Sequence, residues 1–467
     1  MSLLIVLAAL CLLMWVAYRG HSVILFAPVA ALGAVLLIDP TLVAPMFTGL
    51  FMDRMVGFLK LYFPVFLLGA VFGKLVEISG FSKSIVAATI RLVGPQRAML
   101  AIVLVCALLT YGGVSLFVVV FAVYPFAAEL FRQNDIPKRL IPGTIALGAF
   151  TFTMDALPGT PQIQNIIPTA FFGTTAWAAP VLGTLGGVFI LAVGMGYLEW
   201  RRRSALRAGE GYQAGEPLRN EPATFQDARL AHPLLAIAPL LVVGVVNFLL
   251  TRAIPGWYGE AHSFLPSAIG APAPVTQEVA KLAGIWAVLG ALLAGIACVL
   301  ACAWRPVLRH FAEGSRPAIA GALLAAMNTA SEYGFGAVIA ALPGFLTVAR
   351  ALERIPDPLI NQAVSVTALA GITGSASGGL SIALAAMGQS FIANAQAAGI
   401  PMEVLHRVAS MASGGMDTLP HNGAVITLLA VTGLSHRQSY RDIFAITLVK
   451  TLAVFVVIGI YAATGWV

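Results

Sequence analysis

The 467-residue sequence is poor in charge, in cysteine and in the short motifs that mark soluble chemistry. Only 10% of its residues are charged, against roughly a quarter in soluble globular domains, which excludes a fold solvated on all sides. Four cysteines, Cys11, Cys106, Cys298 and Cys302, lie in apolar runs with neither Cys-x-x-Cys spacing nor histidine partners. That pattern excludes a metal site and makes them small buried hydrophobes. There is no GxxxxGK[ST] phosphate loop, no GxGxxG after a strand, no HExxH and no GxSxG. No cofactor and no nucleotide-driven step is therefore expected, and an ion gradient is the natural energy source.

Hydrophobic residues, by contrast, make up 59% of the chain, with a mean hydropathy of +0.91. Runs such as Ser2–Tyr18, Met55–Leu75, Trp177–Leu198 and Ile443–Trp466 approach or exceed the ~20 apolar residues that cross a bilayer core. The first run lacks a basic leader region and a small-residue cleavage site, so it reads as a retained span. A net charge of +7 and a pI near 9.4 arise from bases in short loops between runs, which reflects membrane orientation and excludes nucleic acid as a partner.

Basic clusters at Arg19, Lys83–Arg97, Arg132–Arg139, Arg201–Arg229, Arg305–Arg316 and Arg437–Arg441 are assigned to the cytoplasm, with both termini outside. This works only if Ala98–Phe131 and Leu359–Ala398 dip into the membrane and return. Each carries glycines at its centre, LLTYGGVSLFVV and GITGSASGGLSIAL, so that Gly112, Gly113 and Ser115 align with Gly378, Gly379 and Ser381. Each is followed by a proline-containing polar turn, NDIPKR or AGIPMEV, and then by a second matched pair, MDALPGTPQ at Met154–Gln162 and MDTLPHNGA at Met416–Ala424. The sequence thus predicts an all-α polytopic membrane protein made of inverted-topology repeats, each with three spans, a re-entrant hairpin, a broken helix and a final span. The repeats are residues 1–200 and 232–467, joined by a cytoplasmic linker at 201–231.

A proline two or three residues beyond an aspartate ends helical hydrogen bonding in mid-membrane. The exposed half-helix ends are suited to binding ions and anions. No Lys or Arg occurs from Leu140 through Trp200 or between Arg354 and Arg407. A bound anion is therefore expected to be held by backbone N–H groups, by the hydroxyls of Ser115, Thr160, Ser375, Ser377, Ser381 and Thr418, and by Gln162, Asn165, His421 and Asn422. The deepest acids, Asp155, Asp417 and Glu332, are proton-coupling candidates, because an intramembrane carboxyl costs at least ~2.5 kcal/mol to insert. Simpler readings stand beside these: the aspartates as helix caps, the glycine pairs as close-packing sites, and His421 and Glu332 as ordinary hydrogen-bonding residues.

The combination of GSASGGLSIA with MASGGMDTLPHNGAVITLLAVTGLSH resembles the gluconate permease family of bacterial carboxylate–proton symporters. The resemblance implies a homodimer in the lipid of a bacterial inner membrane, with a scaffold domain and a transport domain that moves as an elevator. It also implies uptake of a small organic anion, gluconate-like or a short hydroxy acid, together with protons. The serine-asparagine-threonine tips of sodium-coupled relatives are absent, which favours protons over a sodium-coupled carboxylate transporter. The lack of nearby bases favours a small monocarboxylate over a citrate-like trianion. The rival from another class, a membrane-embedded hydrolase using Asp155 and Asp417 as a carboxylate pair, requires the two within hydrogen-bonding reach.

Overall fold

The computed structural model describes every residue except 20, 115, 214–218, 222–229, 266–273, 346, 348–350, 352–353 and 421. The chain is an all-α polytopic membrane protein. Among the described residues, six helices are long and apolar enough to cross a membrane. The first half comprises α1 (Ser2–Tyr18), α2 (Val23–Ile38), α3 (Met52–Ile78), α4 (Phe81–Val93), α5 (Ala98–Tyr111), α6 (Leu116–Gln133), α7 (Ile141–Ala149), α8 (Phe152–Asp155), α9 (Ile163–Phe172) and α10 (Pro180–Arg207). The second comprises α11 (Pro233–Tyr258), α12 (Val279–Cys302), α13 (Trp304–Ala341), α14 (Pro358–Thr373), α15 (Ala376–Ala397), α16 (Met402–Ser413), α17 (Gly423–Thr432) and α18 (His436–Thr464). Between α11 and α12, an exposed two-stranded antiparallel ribbon pairs Ala261–Phe264 with Val275–Glu278. The sequence reading had no strand there, because a four-residue polar strand in a loop carries no hydrophobic period.

The order of hairpin, broken helix and long helix occurs twice. Helices α5 and α6 pack on each other across Gly112–Val114, and α14 and α15 across Gly374 and Ser375. The chain bends by 109° where α4 meets α5 at Pro95, so α4 with its charged face does not continue the apolar hairpin arm. Gly113 at the first tip has φ +93°, a conformation open chiefly to glycine.

Both Asp-x-Leu-Pro stretches interrupt helices: among the described residues, no helix runs between Asp155 and Ile163 or between Ser413 and Gly423. Pro158 and Pro161 in the first break and Pro420 in the second remove backbone donors, which forces side chains to finish the hydrogen bonding. Asn422 does this for α17, its Oδ1 accepting from Ala424 N at 2.7 Å and Val425 N at 3.0 Å.

The polar link is not a free tether. Helix α10 continues into it as far as Arg207, and two later pieces lie against the helices. Arg139 makes a two-pronged pair with Glu210 at 2.5 and 2.7 Å, and Lys138 pairs with Glu221 at 2.7 Å. Asn220 donates to the carbonyl of Ala430 at 2.8 Å. Beside these, buried Asp442 of α18 collects Tyr197 and Arg201 of α10 and a longer contact from Arg139. One end of α7, α10 and α18 is thereby tied together. Arg139 holds the Glu210 carboxyl below the usual carboxylate range.

Candidate functional site

The two breaks cross. Asp155, the last residue of α8, turns its carboxylate onto Gly414, the first residue beyond α16, where a Cβ would lie 1.9 Å from Oδ2. Only glycine leaves room for the acid there. The Asp155 carbonyl accepts from Ser410 Oγ at 2.8 Å and from Arg407 at 2.9 Å, which fixes the end of the first break onto the flank of α16. Asp155 Oδ1 has no hydrogen-bond partner among the described residues.

Each hairpin tip is sewn to its own break by an amide side chain. Gln162 Nε2 donates to Thr110 O at 2.7 Å beside the Gly112–Gly113 tip. Asn422 Nδ2 donates to Gly374 O at 2.6 Å at the second tip. Helix α16 packs against α8, α9, α14 and α15, so tips and breaks form one connected region.

Two bases that the sequence reading set aside stand in this region, and the expectation of a site without bases is corrected accordingly. Arg407 of α16 is fully buried and donates to Ala178 O, Asp155 O and Asn165 Oδ1. Lys450 of α18, 1% exposed, donates to Asp417 Oδ1 and to Phe150 O, the latter at 3.1 Å. Asp155 lies within electrostatic reach of Arg407, Lys450 and Asp417. Two acids and two bases therefore form a buried quartet whose formal charges sum to zero. Uncompensated, each charge would cost several kcal/mol to bury.

Sequence spacing hid these bases. Arg407 ends a base-free interval of more than fifty residues and reads as its boundary, and Lys450 sits inside a run that looks continuously apolar. The usable signal was one base per apolar segment with no loop to snorkel to. His406, also missed, bridges Thr174 and Asn165 through its two ring nitrogens at 2.6 and 3.1 Å.

The remaining candidates divide by where their polar atoms go. Thr160 Oγ1 donates to Thr153 O, and Asn165 is saturated by Thr160 O, Ala176 O, His406 and Arg407, so both are spent inside the first break. Thr418 is hydrogen-bonded to Thr447. The amides of Gly112 and Gly113 bond back to Leu108 and Thr110, and those of Gly378 and Gly379 to Ser375. None of these four N–H groups points at an open space as the sequence reading expected. A Cβ at Gly379 would meet the backbone of Ala370 at 2.2 Å, which makes this a close-packing glycine between hairpin arms. Ser381 bonds to Ser377 O, and Ser377 faces Thr329 of α13 at 3.2 Å. Ser115 and His421 lie outside the described residues.

Glu332 belongs with the second tip rather than with the breaks. It is 4% exposed, its Oε2 atom has no hydrogen-bond partner among the described residues, and a Cβ on Gly378 would lie 1.8 Å from that oxygen. An acid of α13 therefore rests on the glycine of hairpin α14–α15. On the other side of the same turn, Tyr333 lines a cavity of about 240 Å³ with Asp53, Arg54, Phe58, Tyr62 and Phe171.

Asp417 is held by Lys450, and no hydrogen bond links it to Asp155 among the described residues. The arrangement is that of a polytopic membrane transporter, with interrupted helices, a buried neutral charge cluster and hairpin tips beside them. No family model matches the chain. It is 59% identical, over 475 aligned residues covering all of both proteins, to the "Uncharacterized transporter YxjC" of Bacillus subtilis (strain 168), and it belongs to that transporter family. Among solved structures it is similar to the Alcanivorax borkumensis YdaH transporter, whose crystal structure is described as having an unusual topology. That match spans 92% of this chain and 90% of the other at a TM-score of 0.48 and 15% identity, too distant to transfer any feature.

Proposed function

We propose that the chain is a proton-coupled symporter for a small hydroxy- or monocarboxylate, gluconate-like in class, working by an elevator mechanism. The observation that carries this reading is the crossing of two interrupted helices around a buried quartet whose charges cancel. Both bases are already engaged by acids and carbonyls of the chain, so a trianion would find no free cation, whereas one carboxylate needs little more than dipoles and hydroxyls. Asp155, with an unpartnered oxygen, and Glu332, with another, are the acids free to take up and release a proton. Glu332 is placed where α13 meets the second hairpin, a contact that changes if the hairpins move past a scaffold containing α3 and α13. The resemblance to gluconate permeases supports the substrate class, the homodimer and the inner-membrane location.

The test is uptake of labelled gluconate, glycerate and 3-hydroxybutyrate into proteoliposomes, with and without an inward proton gradient. Accumulation that follows the pH gradient and saturates supports the reading. Accumulation of citrate without monocarboxylate competition, or of monocarboxylates only with sodium, overturns it. Chemical turnover without translocation would turn the assignment to a membrane enzyme.

A further inference from the structure

In carriers built from interrupted helices, the C-terminal ends of half-helices and the unwound carbonyls beyond them coordinate coupling cations, because each such end carries roughly half a negative charge. Two helix ends, one leading into α8 and one opening the first break, are filled here by the chain itself. The end of α7 presents Phe150 O to the Lys450 ammonium, and the end of α8 presents Asp155 O to the Arg407 guanidinium. Neither base is local: both arrive from the second half of the chain.

The Lys450 position has the donor set of an alkali-cation site. A helix-terminal carbonyl, Phe150 O, and the Asp417 carboxylate contact the ammonium directly. The mutually bonded hydroxyls of Thr418 and Thr447 belong to the residue after Asp417 and to the residue one helical turn before Lys450. Oxygens of these kinds, one of them anionic, are what a small hard cation selects. Arg407 differs in that its planar head makes four bonds to carbonyl and amide oxygens and none to a carboxylate, the pattern of a structural clamp. The charged group bonded to Lys450 is Asp417 on the second break.

We propose that Lys450 is a resident stand-in for a monovalent metal cation. Its ammonium occupies a cation site formed by Phe150 O and the Asp417 carboxylate, and shortening the side chain opens that site to a sodium or lithium ion, with the Thr418 and Thr447 hydroxyls as the further oxygens the ion would recruit. The consequence for coupling, that the native protein needs no sodium, rests on the transport reading above. The site itself does not.

The test measures cation binding without any substrate. Purified wild type, Lys450→Ala and the double variant Lys450→Ala with Asp417→Asn are melted in detergent in sodium, lithium or choline chloride at equal ionic strength. Expected is no difference between salts for wild type, a rise of several degrees in sodium or lithium over choline for Lys450→Ala, and loss of that rise in the double variant. A sodium-specific shift in wild type overturns the proposal, as does a folded Lys450→Ala with no salt preference or a double variant that keeps it. If Lys450→Ala is recovered monodisperse in sodium but not in choline, the proposal is supported. If it is recovered in neither, Lys450→Ser, which supplies a further oxygen, is melted in the same salts, and indifference to sodium and lithium there overturns it. A protein that passes this test yet accumulates no carboxylate would overturn the transport reading alone.

Discussion

Replacing Arg407 by methionine removes four hydrogen bonds from a fully buried guanidinium, and the structure says which acceptors suffer. Asp155 O keeps Ser410 Oγ at 2.8 Å, and Asn165 Oδ1 keeps His406 at 3.1 Å. Ala178 O loses both of its Arg407 donors. An orphaned buried carbonyl costs about 1–3 kcal/mol. The quartet is also left with two acids against one base, and an uncompensated buried charge adds to that cost. Opposing both is the relief of a desolvated guanidinium, so a net loss of about 3 kcal/mol is the expected balance, roughly a hundredfold in the folding equilibrium. Arg407→Lys keeps the charge without the planar fork and should fall between. Adding Asp155→Asn to Arg407→Met should restore part of the loss, because the uncompensated acid goes with it. The measurement is unfolding in detergent micelles followed by near-UV circular dichroism, with the four proteins compared as a double-mutant cycle. An Arg407→Met protein as stable as wild type, or a double variant worse than the sum of its singles, would refute the charge-quartet account.

Gly414→Ala drives a methyl into the Asp155 carboxylate, so it should destabilise by about 1–3 kcal/mol as an overpacked site, and Asp155→Ala should rescue it; thermal melts of the three proteins decide. Gly378→Ala meets Glu332 in the same way, and Glu332→Ala should restore the stability it removes, read by the same melts. At the cytoplasm-assigned cluster the Glu210 carboxyl is held low by Arg139. Its contribution is therefore complete above the unfolded carboxylate range near ~4.3 and disappears as pH falls through the lowered folded value. Protease cleavage of the link should accelerate only in that acidic window, and Arg139→Gln should move the onset upward in pH.

Much of this architecture was legible because its signals are one-dimensional. Apolar runs of membrane length, glycine-centred hairpins and Asp-x-Leu-Pro interruptions are each local in the chain, and helices are interrupted at both Asp-x-Leu-Pro stretches. What the sequence hid were partnerships across long separations. Lys450 meets a carbonyl three hundred residues earlier, and Arg407 meets one at a separation of 252, so neither pairing has a local trace. The glycines misled for a related reason. A GGxS tip looks like exposed backbone, yet whether its amides are free depends on what packs above it. At the second tip that is Ser375 together with Glu332 of α13. The linker was read as a connector from its composition, which cannot register that Glu210 and Glu221 find Arg139 and Lys138.

The charge count of the quartet constrains how a loaded carrier can move. On the proposed elevator mechanism, the formal charges of Asp155 and Asp417 cancel those of Arg407 and Lys450, so the empty core would cross the low-dielectric region with no net charge, whereas each uncompensated charge there costs at least ~2.5 kcal/mol. A bound monocarboxylate would add one negative charge, and a proton taken up by Asp155 would cancel it. One proton per carboxylate is then the loading that lets full and empty cores travel with similar barriers. Under this accounting, a potassium diffusion potential of 100 mV, equivalent to about 2.3 kcal/mol per charge, should not drive accumulation into proteoliposomes when pH is equal on both sides. A pH gradient of the same energy should. Uptake that follows the potential at equal pH would mean that net charge moves with the substrate, and the quartet would then not be the neutral unit its four side chains imply.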